Sequence, residues 1–359
     1  MTHHNKPNIK SAALSRAQLP RLLEKLDTLL PYSIPLVRRI QFHLDHPISK
    51  SARIYIAVAD TEANSNNNES GSNESGNWLN EWLLETPTAP ESGSPWLAAH
   101  IDLMSYGQTQ GWVFGSWEHP SIYDPHKHSV YKALMNQLFS YIYTVLVPEM
   151  STEPPEDWLL LKRTGKRLTQ PFSRSKVLFG TLSDKVWEYF DESARSRIDP
   201  SYYKYIFTPE NKVTQPDDDS FPLPEGYRFG EMQPHDLQVV LDRTDIPRTL
   251  HTLSQYVSVS LFHGNDERPI GWGFLGKDAS ISSLHTEPEH RGKGLAVCLS
   301  KELLKRQGSA FAGQQSWGHA DVSKENAPSR RVMEKLGGVP MWMVMWCEID
   351  LEIACGSDR

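Results

Sequence analysis

Leu284-His285-Thr286-Glu287-Pro288-Glu289-His290-Arg291-Gly292-Lys293-Gly294-Leu295-Ala296 is the stretch whose reading decides the fold. Its first residues close a strand, two glycines flank a lysine, and a helical period begins at Leu295. Leu295, Cys298, Leu299 and Leu303 share one face of that helix, whereas Lys301, Glu302, Lys305 and Arg306 can face water. A strand that runs through a glycine turn into a helix gathers unpaired backbone N–H groups and the positive helix end at one spot. Such a spot suits a pyrophosphate: Gly292 and Gly294 allow close approach, and Arg291 and Lys293 add charge at the rim. Two other phosphate loops fail on their residues. A P-loop needs Ser or Thr after the lysine, where this chain has Gly294, and a dinucleotide fingerprint needs a third glycine, where it has Val297. A plain turn before an amphipathic helix is the other reading of an isolated Arg-Gly-Lys-Gly.

Working outward, strands are expected at Tyr227 to Met232, Tyr256 to His263, Ile270 to Leu275 and Ala279 to Thr286. A helix is expected from Pro234 to Thr244. Trp317 to Val322 reads as a strand. Asn326 to Leu336 reads as a helix with an Asn cap, Pro328 in its first turn and Gly337-Gly338 at its end. Met341 to Leu351 closes as a long strand. The order β-α-β-β-β-α-β-α-β describes an α/β domain with a mixed sheet.

The remaining chain is long enough for a second body. At 359 residues the protein exceeds the size at which one core usually stops growing. Residues 61–77 are rich in Asn, Ser, Gly and Glu and read as a flexible surface insertion. Pro209 to Gly226 reads as an extended linker, which divides the chain into 1–215, a linker at 216–226, and 227–359. Gly111-Trp112-Val113-Phe114-Gly115 echoes Gly271-Trp272-Gly273-Phe274, and a helical segment, Val130 to Tyr143, follows the first copy. The echo is short enough to arise by chance. Where the second copy has its glycines, the first has His126-Lys127-His128-Ser129.

Composition narrows the partners. A formal charge of -7 gives no basic field for nucleic acid or for an anionic membrane surface. No apolar run approaches membrane-helix length. Cys298, Cys347 and Cys355 show no metal spacing and are odd in number, so no metal and no complete disulfide framework is expected. A reduced, cytoplasmic setting fits these features.

The segment resembles the GNAT superfamily of N-acyltransferases. The family pattern Gln/Arg-x-x-Gly-x-Gly/Ala is met by Arg291, Gly294 and Ala296, preceded by Pro288-Glu289. The later strand and Asn-started helix of the family are met by His319-Ala320-Asp321-Val322 and Asn326-Ala327-Pro328-Ser329, ending in Leu336-Gly337-Gly338. The resemblance covers roughly residues 225 to 352. Its tandem arrangement looks like the glycine N-acyltransferase-like branch, in which a degenerate first half precedes an active second half.

The resemblance implies acetyl-CoA or another acyl-CoA as co-substrate, held between the strand ending at Thr286 and the strand at Trp317 to Val322. Leu284, His285 and Thr286 would pair with the pantetheine arm. Amides of Gly292, Lys293, Gly294, Leu295 and Ala296, with Arg291, would meet the pyrophosphate, and Asn326 and Ser329 would line the thiol end. A small-molecule amine or an amino acid would attack the thioester directly, with a backbone N–H of Leu284 to Thr286 steadying the oxyanion.

The proton acceptor is less clear from the residues. An alkylamine is mostly protonated at neutral pH, so a base is needed. The glutamate that family members often carry on this strand is replaced by Ser280 and Ser282. His285 has a suitable titration range, and a histidine at a strand end is also a common structural residue. The family's tyrosine acid aligns with Met333, which moves that role to Ser329 or water, or makes it unnecessary. Asp321 can hold the amine or pair with a neighbouring strand. Glu287 and Glu289 read as a solvated rim, Cys298 as a small buried apolar group, and Trp342 and Trp346 as core. A non-catalytic acyl-CoA-binding module is the alternative function.

Overall fold

The computed structural model describes residues 7–46, 49–59, 78–85, 93–165, 168, 170–199, 201–211, 220–310 and 317–356. The insertion expected at 61–77 and the linker residues 216–219 lie outside the described residues. The chain forms two compact units. Unit 1 comprises Met1–Pro154, Gln170–Ile198 and Trp346–Arg359, and unit 2 comprises Pro155–Thr169 and Asp199–Met345.

Unit 2 carries the diagnostic loop. Its strands are β7 (Tyr202–Phe207), β8 (Tyr227–Gly230), β9 (Ser258–His263), β10 (Gly271–Leu275), β11 (Ile281–Thr286), β12 (Gly318–Ser323) and the first part of β13 (Val339–Asp350). The sheet order is β8-β9-β10-β11-β12-β7-β13 in reverse of the path from β13. Strands β8 to β11 form an antiparallel meander, and β12 joins β11 in parallel. A parallel neighbour needs a crossover, supplied by the helix Leu295–Ala310. The apolar period read from the sequence is what seats this helix: Leu295, Leu299, Leu303 and Leu304 are buried with Val259, Leu261, Ile281, Ala320 and Val322. Each such side chain contributes roughly 1.5–3 kcal/mol of burial. The segment before β9 holds two short helices, Leu237–Asp242 and Leu250–Ser254, where the sequence suggested one.

Unit 1 repeats the plan. Its strands are β1 (Ile9–Ala13), β2 (Arg53–Ala59), β3 (Trp96–Ile101), β4 (Gly111–Gly115), β5 (Lys176–Ser183) and β6 (Arg195–Ile198), with the end of β13. Strands β1 to β4 are an antiparallel meander, and β5 is parallel to β4 across the helix His128–Tyr141. Two helices, Leu19–Asp27 and Ile34–Asp45, separate β1 from β2, as two separate β8 from β9. The fold is therefore α/β with a mixed sheet and a GNAT-like plan in two copies. By this order β4 corresponds to β11. The echo of Gly111–Gly115 in Gly271–Phe274 pairs non-equivalent strands, since the latter are β10.

The division falls elsewhere than the expected 216–226. Strand β7 precedes that stretch yet pairs with β12, register Lys204↔Asp321, and its Tyr205 and Phe207 fill the unit 2 core. The proline-rich composition at 209–226 marks a connection inside unit 2, and its described end is packed. Lys301, expected in water, is buried with its ammonium on the Ser220 carbonyl. The Cys298 thiol lies 3.6 Å from the Phe221 carbonyl.

Candidate functional site

The site begins with an irregularity in β11. Trp272 pairs with His285 and Phe274 with Ser282, so Gly273 faces two residues, Ser283 and Leu284. The extra residue is a β-bulge, and Ser283 takes a φ of 50°, rare for a residue with a side chain. On its other edge β11 meets β12 at one pair, Ile281↔Ala320. From residue 282 onward the two strands diverge. Alternate residues of a strand direct their N–H and C=O to one edge, so half of the backbone groups of 282–286 face that opening.

Four buried side-chain atoms along the same strand have no hydrogen-bond partner: Ser282 Oγ, Ser283 Oγ, His285 Nε2 and Thr286 Oγ1. Buried polar atoms are nearly always paired in proteins. Leu284 instead points into the core, near Gly273 and Leu303.

The loop that follows is shaped by conformation. Gly292 and Gly294 have φ of 79° and 80°, and a Cβ at either would meet nothing within 4 Å. Glycine is required there by the left-handed backbone, and the space above it is open. The first N–H groups turned back into the helix are those of Val297 and Cys298, both to the Gly294 carbonyl. The amides of Gly292 to Ala296 precede them, at the helix start where N–H groups have no partner within the helix. Leu295 is buried in the core, while residues 291–294 are exposed.

Each of the two cations of the loop has a partner within the unit. Arg291 Nε donates to the Thr286 carbonyl at 2.9 Å, which ties the loop to the end of β11. Lys293 Nζ donates to Tyr227 Oη at 2.9 Å, and that hydroxyl shares a 3.0 Å bond with His290 Nδ1.

His285 lies flat against the buried Trp272, ring centroids 4.5 Å apart at 17°. Burial holds its imidazole below the usual histidine range, helped by Arg291 and Arg243 and opposed by Glu287. The ring is thus a free base at neutral pH. Glu287 is no solvated rim: it is 18% exposed, 3.5 Å from His285 Nε2 and 3.2 Å from Arg243 Nε. Glu289 does face solvent.

Asp321 takes the pairing role. Lys204, fully buried, lies 2.7 Å from Asp321 Oδ1 and 3.2 Å from His319 Nδ1. His319 Nε2 lies 2.7 Å from the Asp278 carbonyl. Because a carbonyl only accepts, Nε2 carries a proton. Burial raises the Asp278 carboxyl, but Lys204 and His319 and the Ser280 hydrogen bonds outweigh it and hold it below the usual range. Ligand atoms of Asp278, His319 and Asp321 lie within 4.8 Å of one another, a spacing that suits a metal ion. The Lys204 ammonium lies against two of the three, Asp321 and His319.

Asn326 caps the helix Ala327–Lys335, its Oδ1 accepting the Ser329 N–H at 3.1 Å. Asn326 Oδ1 is thereby committed to the helix start, and Ser329 is half-buried beside it. Met333, at the position of the family's tyrosine, is 2% exposed in the core. The Cys298 thiol is pushed up by burial, which suits an unreactive group. Lys204 and Glu287 are the residues sequence reasoning missed. The signal for Lys204 is a lone charge in Tyr202-Tyr203-Lys204-Tyr205-Ile206-Phe207.

A meander, a glycine loop opening a crossover helix, and a parallel strand that leaves its neighbour after one pair are the architecture of the GNAT class. Residues 7–205 match the family described as acyl-CoA N-acyltransferase verG N-terminal domain, more than half of the chain, and the chain belongs to that family. Residues 258–347 match the FR47-like protein family. Among solved structures, a Drosophila protein is similar at 12% identity and a TM-score of 0.57, covering 94% of this chain and 98% of its own. That likeness shows the fold alone. A tandem GNAT protein from the clavulanic acid biosynthesis pathway gives 12% identity and 0.46, over 96% of this chain and 99% of its own. A GCN5-related N-acetyltransferase from Sphaerobacter thermophilus gives 11% and 0.46, over 96% of each. Among curated proteins, none matches the sequence closely. No helix among the described residues is long and apolar enough to cross a membrane.

Proposed function

We propose that the protein transfers an acetyl or longer acyl group from its CoA thioester to the amine of a small molecule or an amino acid, in the cytoplasm. The observation that carries this reading is the row of buried, unpaired polar atoms on β11 that ends at the helix-start amides of the glycine loop. Each unpaired group costs about 1–3 kcal/mol, which a ligand bonding there recovers. The pantetheine arm would lie along residues 284–286, and the pyrophosphate would meet the amides of 292–296.

In the reaction the amine nitrogen forms a bond to the thioester carbonyl while its proton passes to His285. A backbone N–H on the open edge of β11 faces the oxyanion. The C–S bond then breaks, and the thiolate takes a proton from the imidazolium or from water.

A second reading, an acyl-CoA-binding module without turnover, is favoured by Met333 lying in the core where a tyrosine acid would stand. Thiol release from acetyl-CoA over a panel of amines separates the two, since binding without release selects the second.

The loop itself is tested by Gly294→Leu. The variant should lose CoA affinity by at least roughly a hundredfold, two charge-assisted hydrogen bonds at about 1.5–3 kcal/mol each, yet bind dephosphorylated pantetheine like the parent. Gly294→Asn tolerates the left-handed backbone and separates strain from obstruction. A folded Gly294→Leu chain that binds CoA as the parent does removes the loop from the site.

A further inference from the structure

Stacking on Trp272 fixes the plane of the His285 ring but not its sense. A half-turn about the Cβ–Cγ bond keeps the same plane and exchanges the positions of the ring edges, so something else must choose which nitrogen is basic. Resting on the acyltransfer reading, we infer that Glu287, held by Arg243, is the positioning residue that commits His285 Nε2 and leaves Nδ1 to receive the acceptor's proton.

Three observations carry this. First, Glu287 presents its two oxygens to different partners, Oε2 at 3.5 Å from His285 Nε2 and Oε1 at 3.2 Å from Arg243 Nε, so rotation of the carboxylate would break both contacts. Second, its backbone is anchored, with the Glu287 N–H donating to the Ile270 carbonyl at 2.8 Å directly after β11 ends. Third, His285 Nε2 is buried, and the carboxylate oxygen Glu287 Oε2 faces it at 3.5 Å, the outer limit of a hydrogen bond. Such contacts are commonly long before substrate binds. A carboxylate opposite Nε2 favours the tautomer with its proton there, because two acceptors facing each other repel. Nδ1 then holds the lone pair. When it takes the amine proton the ring becomes a cation, and the Glu287 charge stabilises it as the C–N bond forms.

The charged groups around the ring are Glu287 and Arg291 from the loop and Arg243 from the end of the helix Leu237–Asp242. Glu287 raises the His285 pKa and Arg243 lowers it, so the two make opposite predictions that a packing role does not share.

The experiment follows the His285 ring by NMR titration in the full-length chain, alongside steady-state kinetics. Glu287→Gln should move the His285 titration and the acid limb of kcat to lower pH, and lower kcat at neutral pH by roughly 10 to 10²-fold with KM for acetyl-CoA within about twofold. Arg243→Gln should move both to higher pH. Should the ring titrate in Glu287→Gln as in the parent, the positioning role is overturned, whatever the kinetics. Failure of the acyltransfer reading looks different: the parent would then release no thiol from acetyl-CoA with any amine while the two titration shifts still appear.

Discussion

Lys204→Met should destabilise unit 2 more than any surface change in it, and the size follows from the charges it faces. The Lys204 ammonium is fully buried and lies 2.7 Å from Asp321 Oδ1, whose side chain is 7% exposed. Asp278 is buried beside it, and Lys204 and His319 together hold its carboxyl below the usual range. The Lys204 ammonium therefore acts on two carboxylates. Methionine matches lysine closely in length and removes that charge from both anions, the situation in which removing one partner of a buried pair costs about 3–5 kcal/mol. With a urea m-value of roughly 2 kcal/mol per molar, the unfolding midpoint should fall by about 1.5–2.5 M. Tryptophan fluorescence reports it, since Trp272 is buried in the same unit.

The pH dependence identifies the cause. In the parent, the Asp278 carboxyl is held below its ordinary 3.8, so its contribution is present above that value and is lost as the pH falls through the lower folded one. In Lys204→Met the cation is gone, the carboxylates titrate at higher pH, and acid relieves their repulsion. The stability gap between parent and variant should accordingly shrink from pH 7 to pH 5. A gap of the same size at both would mean lost packing and would refute the charge argument, as would a midpoint within about 0.3 M of the parent.

The other expectations concern unit 1. Calorimetry should find one CoA per chain, and two comparable sites would contradict a degenerate first half. Burial raises the Glu118 carboxyl to about 8, so its contribution to stability is full below the ordinary 4.5 and is lost as the pH rises through 8. Glu118→Gln should remove that decline from the thermal midpoint between pH 5 and pH 8.5, and equal slopes in parent and variant would dismiss it.

The loop and its helix were legible because their signals are local. Glycine at 292 and 294, the apolar period from Leu295 and the cap at Asn326 each depend on a few neighbouring residues, and each appears where the sequence placed it. The misjudged residues depend on distant partners. Lys204 lies in a strand that the proline-rich stretch at 209–226 seems to sever from unit 2 on paper, and only the pairing with β12 brings it to Asp321. Lys301 was read from helical period alone, which carries no information about the segment at 220–223 that covers it. Glu287 looks like a rim residue until the end of the helix Leu237–Asp242 supplies Arg243. The bulge at Ser283 has no residue signature, since serine does not favour a positive φ.

The two copies of the plan differ in what surrounds the turn after the fourth strand. In unit 1, β4 pairs with β3 in unbroken register, with no bulge. β4 also meets β5 at one pair, Gly111↔Phe179, and the turn after β4 is tied to the residue that follows β5: Trp117 Nε1 donates to the Lys185 carbonyl at 3.0 Å, and Lys185 Nζ donates to the Glu118 carbonyl at 3.2 Å. At the start of the next helical segment, Asp124 accepts the His126 N–H at 2.9 Å, so a carboxylate of the chain itself stands where a phosphate would. A cap of that kind stabilises a helix by about 1 kcal/mol. Unit 2 forgoes it, leaves the β11 edge open from residue 282, and keeps four buried polar atoms unpaired. In unit 2 four such atoms, Ser282 Oγ, Ser283 Oγ, His285 Nε2 and Thr286 Oγ1, fall on one strand directly before the glycine loop, whereas at the corresponding turn of unit 1 the chain's own Asp124 holds the helix-start N–H.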